Sequence, residues 1–274
     1  IAGAGIAGMS CAHFLSLRGV DVEIFEKNPT VGGRYHMGFQ GLEKFTGDTD
    51  FPEKLRQWGI RTNFYMKPLR RIILCSPSGK EHVFESEKPF AYLIKRGAMD
   101  GSIEVSLMRQ CADEGVEFHF GRAVRPESVD VIATGPSRCN AIIREGVFET
   151  DHEDLTCLML DNKYAPNTYA YLIVADGTAT FATGLLGRFD RIDAFFKKTR
   201  NFFVERFGIG INNPIECTHF ANFFIPQTAI EGKSLKVGEA AGFQDYMLGF
   251  GMNFAVTSSQ LAARAITENA DYDA

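Results

Sequence analysis

Ile1-Ala2-Gly3-Ala4-Gly5-Ile6-Ala7-Gly8 opens the chain, and its reading decides the fold. The run reads as the end of a β-strand, a tight glycine turn and the first turn of a helix. Gly3 permits the turn, Gly5 lets the backbone approach a diphosphate, and Gly8 lets the helix pack close to the strand. A helix begun this way presents unpaired N–H groups and a partial positive charge, which suits an anion. The continuation supports this. Met9, Cys11, Ala12 and Leu15 form an apolar helix face, Gly19 ends the helix, and Val20-Asp21-Val22-Glu23-Ile24-Phe25-Glu26 reads as the next strand. Glu26 lies 23 residues after Gly3, where an acid that binds an adenosine ribose belongs. A strand feeding such a turn needs about five or six residues, so part of the first strand is expected to precede Ile1.

Composition narrows the class. The 274 residues are 45% hydrophobic, enough for one large domain or two intertwined ones. Phenylalanine is abundant at 24 residues, against a single tryptophan, so apolar pockets should be phenylalanine-lined. A net charge of −5 argues against a nucleic-acid partner. No stretch approaches the 18 or so apolar residues needed to span a membrane, and no signal peptide is visible. The six cysteines never come closer than 18 residues, which excludes a Cys-x-x-Cys redox pair and a zinc-ribbon spacing and fits a cytoplasmic protein with free thiols. The histidines are equally dispersed, so no metal site is expected, and His13 inside the first helix reads as structural.

Downstream of Glu26, Lys27-Asn28-Pro29 starts a turn, and Val31-Gly32-Gly33-Arg34 puts flexible backbone and a cation beside the nucleotide. Asp50-Phe51-Pro52-Glu53 has the pattern of a helix start. Residues 69–75 and 81–84 read as short strands around a Pro-Ser-Gly turn. Arg96 precedes a helix bearing Ile103, Leu107, Met108 and Cys111, ended by Gly115. Residues 129–135 read as a buried strand closing on Ala133-Thr134-Gly135. Asp176-Gly177 between two apolar runs is a hairpin signal. Ile192, Phe195, Phe196, Thr199 and Phe203 recur at helical spacing before Gly208, a stripe that belongs to a core. Finally, Gly238-Glu239-Ala240-Ala241-Gly242 and Gly249-Phe250-Gly251-Met252 lead into a small-residue helix, forming a second anion-facing helix N-terminus.

Together, the Gly3/Gly5/Gly8 turn, Phe25-Glu26-Lys27, Val31-Gly32-Gly33-Arg34 and the Gly238-Glu239 element resemble FAD-binding proteins of the glutathione-reductase-like class. Over nearly its whole length the chain is similar to the geranylgeranyl-reductase branch of the p-hydroxybenzoate-hydroxylase-like flavoproteins. Arg96, Ile132-Ala133-Thr134-Gly135 and Tyr169-Ala170-Tyr171 add to that likeness. The resemblance implies an α/β fold, a Rossmann-like FAD-binding domain with an interleaved, mainly antiparallel β substrate domain. The expected division is 1–44, 95–138 and 234–274 for the first, and 45–94 and 139–233 for the second. It implies FAD held by Gly3, Gly5, Ile6, Ala7, Gly8, Glu26, Lys27, Gly33, Arg34, Arg96, Val124, Thr134, Gly135, Gly238, Glu239, Gly249, Gly251 and Met252. Tyr171 and Tyr246 are the substrate-side candidates, and no catalytic acid or base is named.

The implied activity is that of an oxidoreductase, a reductase of an apolar substrate such as a prenyl chain or lipid. Its electron donor, NAD(P)H or ferredoxin, would visit transiently, since a second Gly-x-Gly-x-x-Gly is absent. Peripheral membrane contact is compatible with such a substrate. Two departures bear on the substrate: Glu239 stands where the branch usually has Asp, and its Pro-Cys-Gly segment is missing. A flavin amine-oxidase or desaturase type, a flavin monooxygenase, and a non-catalytic FAD-binding or electron-transfer protein are the competing readings.

Overall fold

The structure, a computed structural model, describes residues 1–43 and 49–273. Ile1 and Ala2 run through the middle of a parallel sheet, where Ala2 bridges Phe25 on one side and Ile132 on the other. Across this sheet the order is Ile230–Glu231, Ser234–Lys236, Val131–Ile132, residues 1–2, Glu23–Glu26 and Glu117–Phe120, with only the first strand antiparallel. Parallel neighbours need crossovers that cover the sheet, and helices supply them. Helix α1 (Ile6–Ser16) packs between α3 (Ile103–Asp113) and α5 (Met252–Glu268), while α2 (Phe51–Gln57) closes the same core through Phe51 and Leu55. Because α1 is enclosed, its buried positions run almost unbroken from Ile6 to Leu15. His13 is structural here, as expected: Nδ1 bonds Glu114 at 2.8 Å and Nε2 bonds the Trp58 carbonyl at 3.0 Å, tying α1 to the ends of α3 and α2.

A seven-stranded sheet forms the second layer, in the order Asn212–Ala221, Ala141–Glu149, Thr178–Leu185, Ala170–Ala175, Leu155–Met159, Arg71–Cys75, Glu81–Glu85. All pairs are antiparallel except Leu155–Met159 with Arg71–Cys75. Asp176 and Gly177 both take positive φ, 48° and 75°, as a two-residue hairpin of this hand requires. Strand alternation sends Leu172 and Val174 into the core under α4 (Ile192–Phe207) and Tyr171 and Ile173 to the opposite face. The phenylalanine stripe of α4 is core, with Phe196 stacked on Phe181 at 4.7 Å.

Between these layers lies a three-stranded antiparallel sheet, His36–Glu43, Ala91–Gly97 and Met66–Leu69. Phe39 anchors it to the larger sheet, packing with Ile173 and Ala175 and donating its N–H to Thr180 Oγ1 at 2.8 Å. Here the structure departs from expectation. The strand expected at 69–75 is broken at Arg70: Leu69 ends an edge strand of the small sheet, where Pro68 is tolerated, and Arg71–Cys75 belongs to the seven-stranded sheet. The expected division at 94/95 falls inside Ala91–Gly97, and that at 44/45 lies outside the described residues. Of the strand expected at 129–135, only Val131–Ile132 pairs as a strand; Gly135 then turns the chain with φ 75°. Asp50 occupies the N-cap position of α2 without capping it and accepts instead from the Tyr92 hydroxyl at 2.6 Å. Among the described residues no helix is long and apolar enough to cross a membrane.

Candidate functional site

The three glycines of the opening turn do different work. A Cβ on Gly3, at φ 103°, would fall 2.4 Å from the Ala133 carbonyl oxygen, and one on Gly8 would fall 1.9 Å from the Gly3 oxygen. Both are demanded by the close passage of strand, turn and helix. A Cβ on Gly5 would meet nothing within 4 Å. Gly5 instead borders a cavity of about 1320 Å³ together with Ile6 and Ala7, and no side chain caps the first turn of α1 there. The backbone N–H end of α1 is therefore presented to open space suited to an anion.

Glu26 stands at the same wall. Its Oε2 accepts from Ala4 N at 2.9 Å, and its Oε1 accepts from Asn28 N at 2.8 Å and Asn28 Nδ2 at 2.7 Å. The carboxylate is thus locked in place, with lone pairs left for a ribose hydroxyl. Lys27, Gly33, Val124, Thr134 and Gly135 line the cavity near it. Further along, Arg34 reaches across the wall to Glu239 at 2.8 Å and donates to the Phe220 carbonyl. Burial opposes its charge, but Tyr35 and Glu239 outweigh it, so the guanidinium pKa is raised and the group stays cationic.

Gly249, Gly251 and Met252 line the far end, where Gly251 caps α5 with no side-chain cap of its own. Gly238 does not line the cavity and neither does Gly8; every other residue named from the sequence does. Gly238 serves packing, since a Cβ there would lie 2.9 Å from Ala7 Cβ. Arg96 borders the cavity but its guanidinium is committed: Nε to Glu104 at 2.6 Å, Nη1 to Gln40, and the group as a whole over the Tyr35 ring at 4.0 Å. Burial opposes its charge as well, yet Glu104 holds its pKa above the usual value. Tyr171 lies deep, its hydroxyl donating to Glu145 Oε2 at 3.3 Å and its pKa driven well up by burial and then by Glu145. Tyr246 sits half-exposed at the mouth and donates to the Phe224 carbonyl.

Sequence reasoning missed a group on the sheet side. Glu145, Cys217 and His219 converge beneath Tyr171, and Glu145 and His219 line the cavity. Cys217 pairs directly opposite Glu145 in the antiparallel register, and His219 follows two residues on, on the same face. Burial, then the Glu145 charge, pushes the Cys217 thiol up to about 12. Cys217-x-His219 was visible as a spacing; its partner, 72 residues earlier, was not. Around these polar groups Ile143, Ile173, Leu158 and Leu186 make the remaining wall largely apolar. The cavity exceeds the roughly 300–1,000 Å³ of a single small-ligand pocket, leaving room for a dinucleotide and a second molecule.

Comparison with known proteins gives a consistent picture of the fold. Residues 1–38 match the model of an NAD(P)-binding Rossmann-like domain. No curated protein matches the chain in sequence. Among solved structures, a geranylgeranyl bacteriochlorophyll reductase-like protein from Thermoplasma acidophilum superposes with a TM-score of 0.74 at 18% identity, over 99% of this chain and 79% of its own. A flavin-dependent brominase superposes with a TM-score of 0.65 at 15% identity, over 100% and 80%. A flavoprotein/dehydrogenase from Cytophaga hutchinsonii does so with a TM-score of 0.69 at 14% identity, over 98% and 78%. Along nearly its whole length, then, this chain has the α/β fold of these proteins, with a Rossmann-like nucleotide-binding half and a large antiparallel sheet.

Proposed function

We propose that this protein is an FAD-dependent oxidoreductase that reduces an apolar substrate of prenyl or lipid character. One observation carries the reading: a cavity runs from the uncapped N-terminus of α1, past Glu26, to the uncapped N-terminus of α5, and is roofed by a sheet face that is apolar around the Tyr171–Glu145–His219 group. The two helix ends suit the two anionic parts of a flavin dinucleotide, the diphosphate and the pyrimidine edge of the ring. The open space at Gly5 and the pre-set Glu26 carboxylate fit the diphosphate and the adenosine ribose. Bound FAD supplies reversible two-electron chemistry.

The chain's own residues bind, orient and exclude water. Gly5, Ile6 and Ala7 would hold the diphosphate, and Arg34 and Glu239, paired on the same cavity wall, would hold the linker to the ring. The uncapped N-terminus of α5 would favour negative charge on a flavin ring placed there, without a cationic side chain. Ile143, Leu158 and Ile173 offer apolar surface to the substrate. NAD(P)H or ferredoxin acts as a visiting electron donor. The fold neighbours that carry flavin names support the cofactor, and the geranylgeranyl bacteriochlorophyll reductase-like neighbour supports the substrate class.

The test is spectroscopic and then chemical. Purified protein supplied with FAD should acquire a flavin absorption band that bleaches under anaerobic NADPH, NADH or dithionite. The reduced protein, given geranylgeranyl-bearing substrates, should yield products heavier by one H2 per double bond. A protein that gains no flavin band would overturn the cofactor; a flavoprotein that leaves isoprenoid double bonds untouched would overturn the substrate class.

A further inference from the structure

The cluster beneath Tyr171 has a geometry that flavin binding does not explain. Cys217 Sγ lies 3.2 Å from His219 Nε2 and 3.8 Å from Glu145 Oε1, and His219 Nε2 lies 3.7 Å from that same Oε1. A point about 2.1 Å from all three atoms exists inside that triangle, and moving slightly off its plane reaches the 2.0–2.3 Å at which zinc binds oxygen, nitrogen and sulfur. These separations are also close to the edges of a tetrahedron built on such bonds. We propose that Glu145, Cys217 and His219 form a three-ligand site for a divalent metal ion of zinc type, with its fourth position open to the cavity.

The sheet explains how three distant residues reach this arrangement. Antiparallel pairing sets Glu145 opposite Cys217, and the two-residue period of the strand brings His219 to the same face. Gly38 makes room for the carboxylate, since a Cβ there would lie 2.5 Å from Glu145 Oε1.

Charge gives an independent argument. Glu145 is 1% exposed, and among the described residues its ion-pair partner is His219, a cation only when protonated. The adjacent Arg144 turns to the other face, to Glu216 and Asp193. A carboxylate this deeply buried calls for a cation or a full set of donors. Here it has a thiol at 3.8 Å and a phenol at 3.3 Å. The Tyr171 hydroxyl takes Oε2 and leaves Oε1 to a metal, the orienting role that an outer-shell group plays. Among the described residues the buried Nδ1 of His219 has no hydrogen-bond partner, so no protein group supplies the outer-shell acceptor that usually fixes a ligating imidazole, and a water would have to take that N–H.

Sulfur, imidazole and carboxylate together favour Zn²⁺ or Co²⁺ over the hard Mg²⁺ and Ca²⁺. With three protein ligands the site is of the open kind that takes water or an oxygen of a bound molecule as the fourth ligand.

The experiment uses the full chain, stripped with a chelator and titrated with Co²⁺ under argon, in both flavin-free and FAD-supplied forms. One equivalent should give the visible bands of four-coordinate Co²⁺ and a thiolate-to-cobalt charge-transfer band, read as difference spectra. Zn²⁺ should then displace it. Cys217→Ser should abolish the charge-transfer band. Glu145→Gln and His219→Gln should each weaken binding about 10- to 100-fold or more, since even outer-shell losses cost that much. Cys139→Ser, on an exposed loop, should behave as wild type. Absence of the charge-transfer band in wild-type protein, or its survival in Cys217→Ser, overturns the proposal. The wild-type spectrum decides the matter even where a variant folds poorly, and the flavin-free arm keeps it separate from the cofactor reading.

Discussion

Gly5→Ala separates what the protein needs from what its ligand needs. Gly5 has φ −82° and ψ −178°, backbone open to any residue. An alanine Cβ there meets no atom within 4 Å. Replacing glycine by alanine at a compatible position gains about 0.4–1 kcal/mol by restricting the unfolded chain. Losing glycine for alanine at a helix N-cap costs a comparable few tenths to about 1 kcal/mol. The two nearly cancel, so flavin-free stability should stay within about 1 kcal/mol of wild type. For a diphosphate seated on the α1 N-terminus, the same methyl is an intrusion into a close contact, which costs about 1–3 kcal/mol. That is a loss of roughly 5- to 150-fold in FAD affinity. Thermal unfolding of the flavin-free protein gives the first quantity, and fluorescence titration with FAD gives the second. Unchanged FAD affinity with unchanged stability would show that no diphosphate rests on this turn.

The other two glycines of the turn give the opposite pattern: Gly3→Ala and Gly8→Ala should lower flavin-free stability by several kcal/mol, as overpacking against backbone does, visible as a large fall in Tm. Glu26→Gln should cost about 1–3 kcal/mol in both stability and FAD affinity, because a carboxamide has one accepting oxygen where Ala4 and Asn28 need two. Equal loss of neither would remove Glu26 from the site. A Cβ on Gly251 would make ordinary contact with the protein, 3.6 Å to Gln244 Cβ, so Gly251→Ala leaves the fold in place. The substitution should lower the flavin reduction potential by about 20–45 mV, the equivalent of about 1–2 kcal/mol of anion stabilisation, in a dye-referenced reductive titration. Thiol labelling of native protein at pH 8 should mark Cys139 readily and spare Cys11 and Cys111, whose thiols burial pushes up to about 12; rapid labelling of Cys11 would mean that α1 opens.

How much was legible follows from how local each signal is. The turn at Gly3–Gly8, the hairpin at Asp176-Gly177 and the stripe Phe195, Phe196, Phe203 each need only a few neighbouring residues, and each stands where periodicity and turn chemistry put it. Arg70 illustrates the limit. Nothing in an apolar run says that its two halves pair with different strands, because pairing depends on partners 20 to 90 residues away. Arg96 reads as a cation near a nucleotide, yet Glu104, in the first turn of α3, claims it. The Glu145 cluster was hidden for a related reason: its members come together only through strand register, and a one-residue slip would disperse them.

The central position of residues 1–2 also has a consequence for biosynthesis. Ala2 needs Ile132 beside it, and the helix that follows needs α5, whose Ser259 hydroxyl donates to the Ala7 carbonyl. At about 5–20 residues per second of translation, roughly 10–50 s separate the emergence of the glycine turn from that of its last packing partner. Through that interval the nascent chain carries an apolar helix with an uncovered face, the sort of surface that holding chaperones recognise. A ribosome-bound chain stopped before Met252 should therefore remain chaperone-associated, while one released after Glu268 should let go.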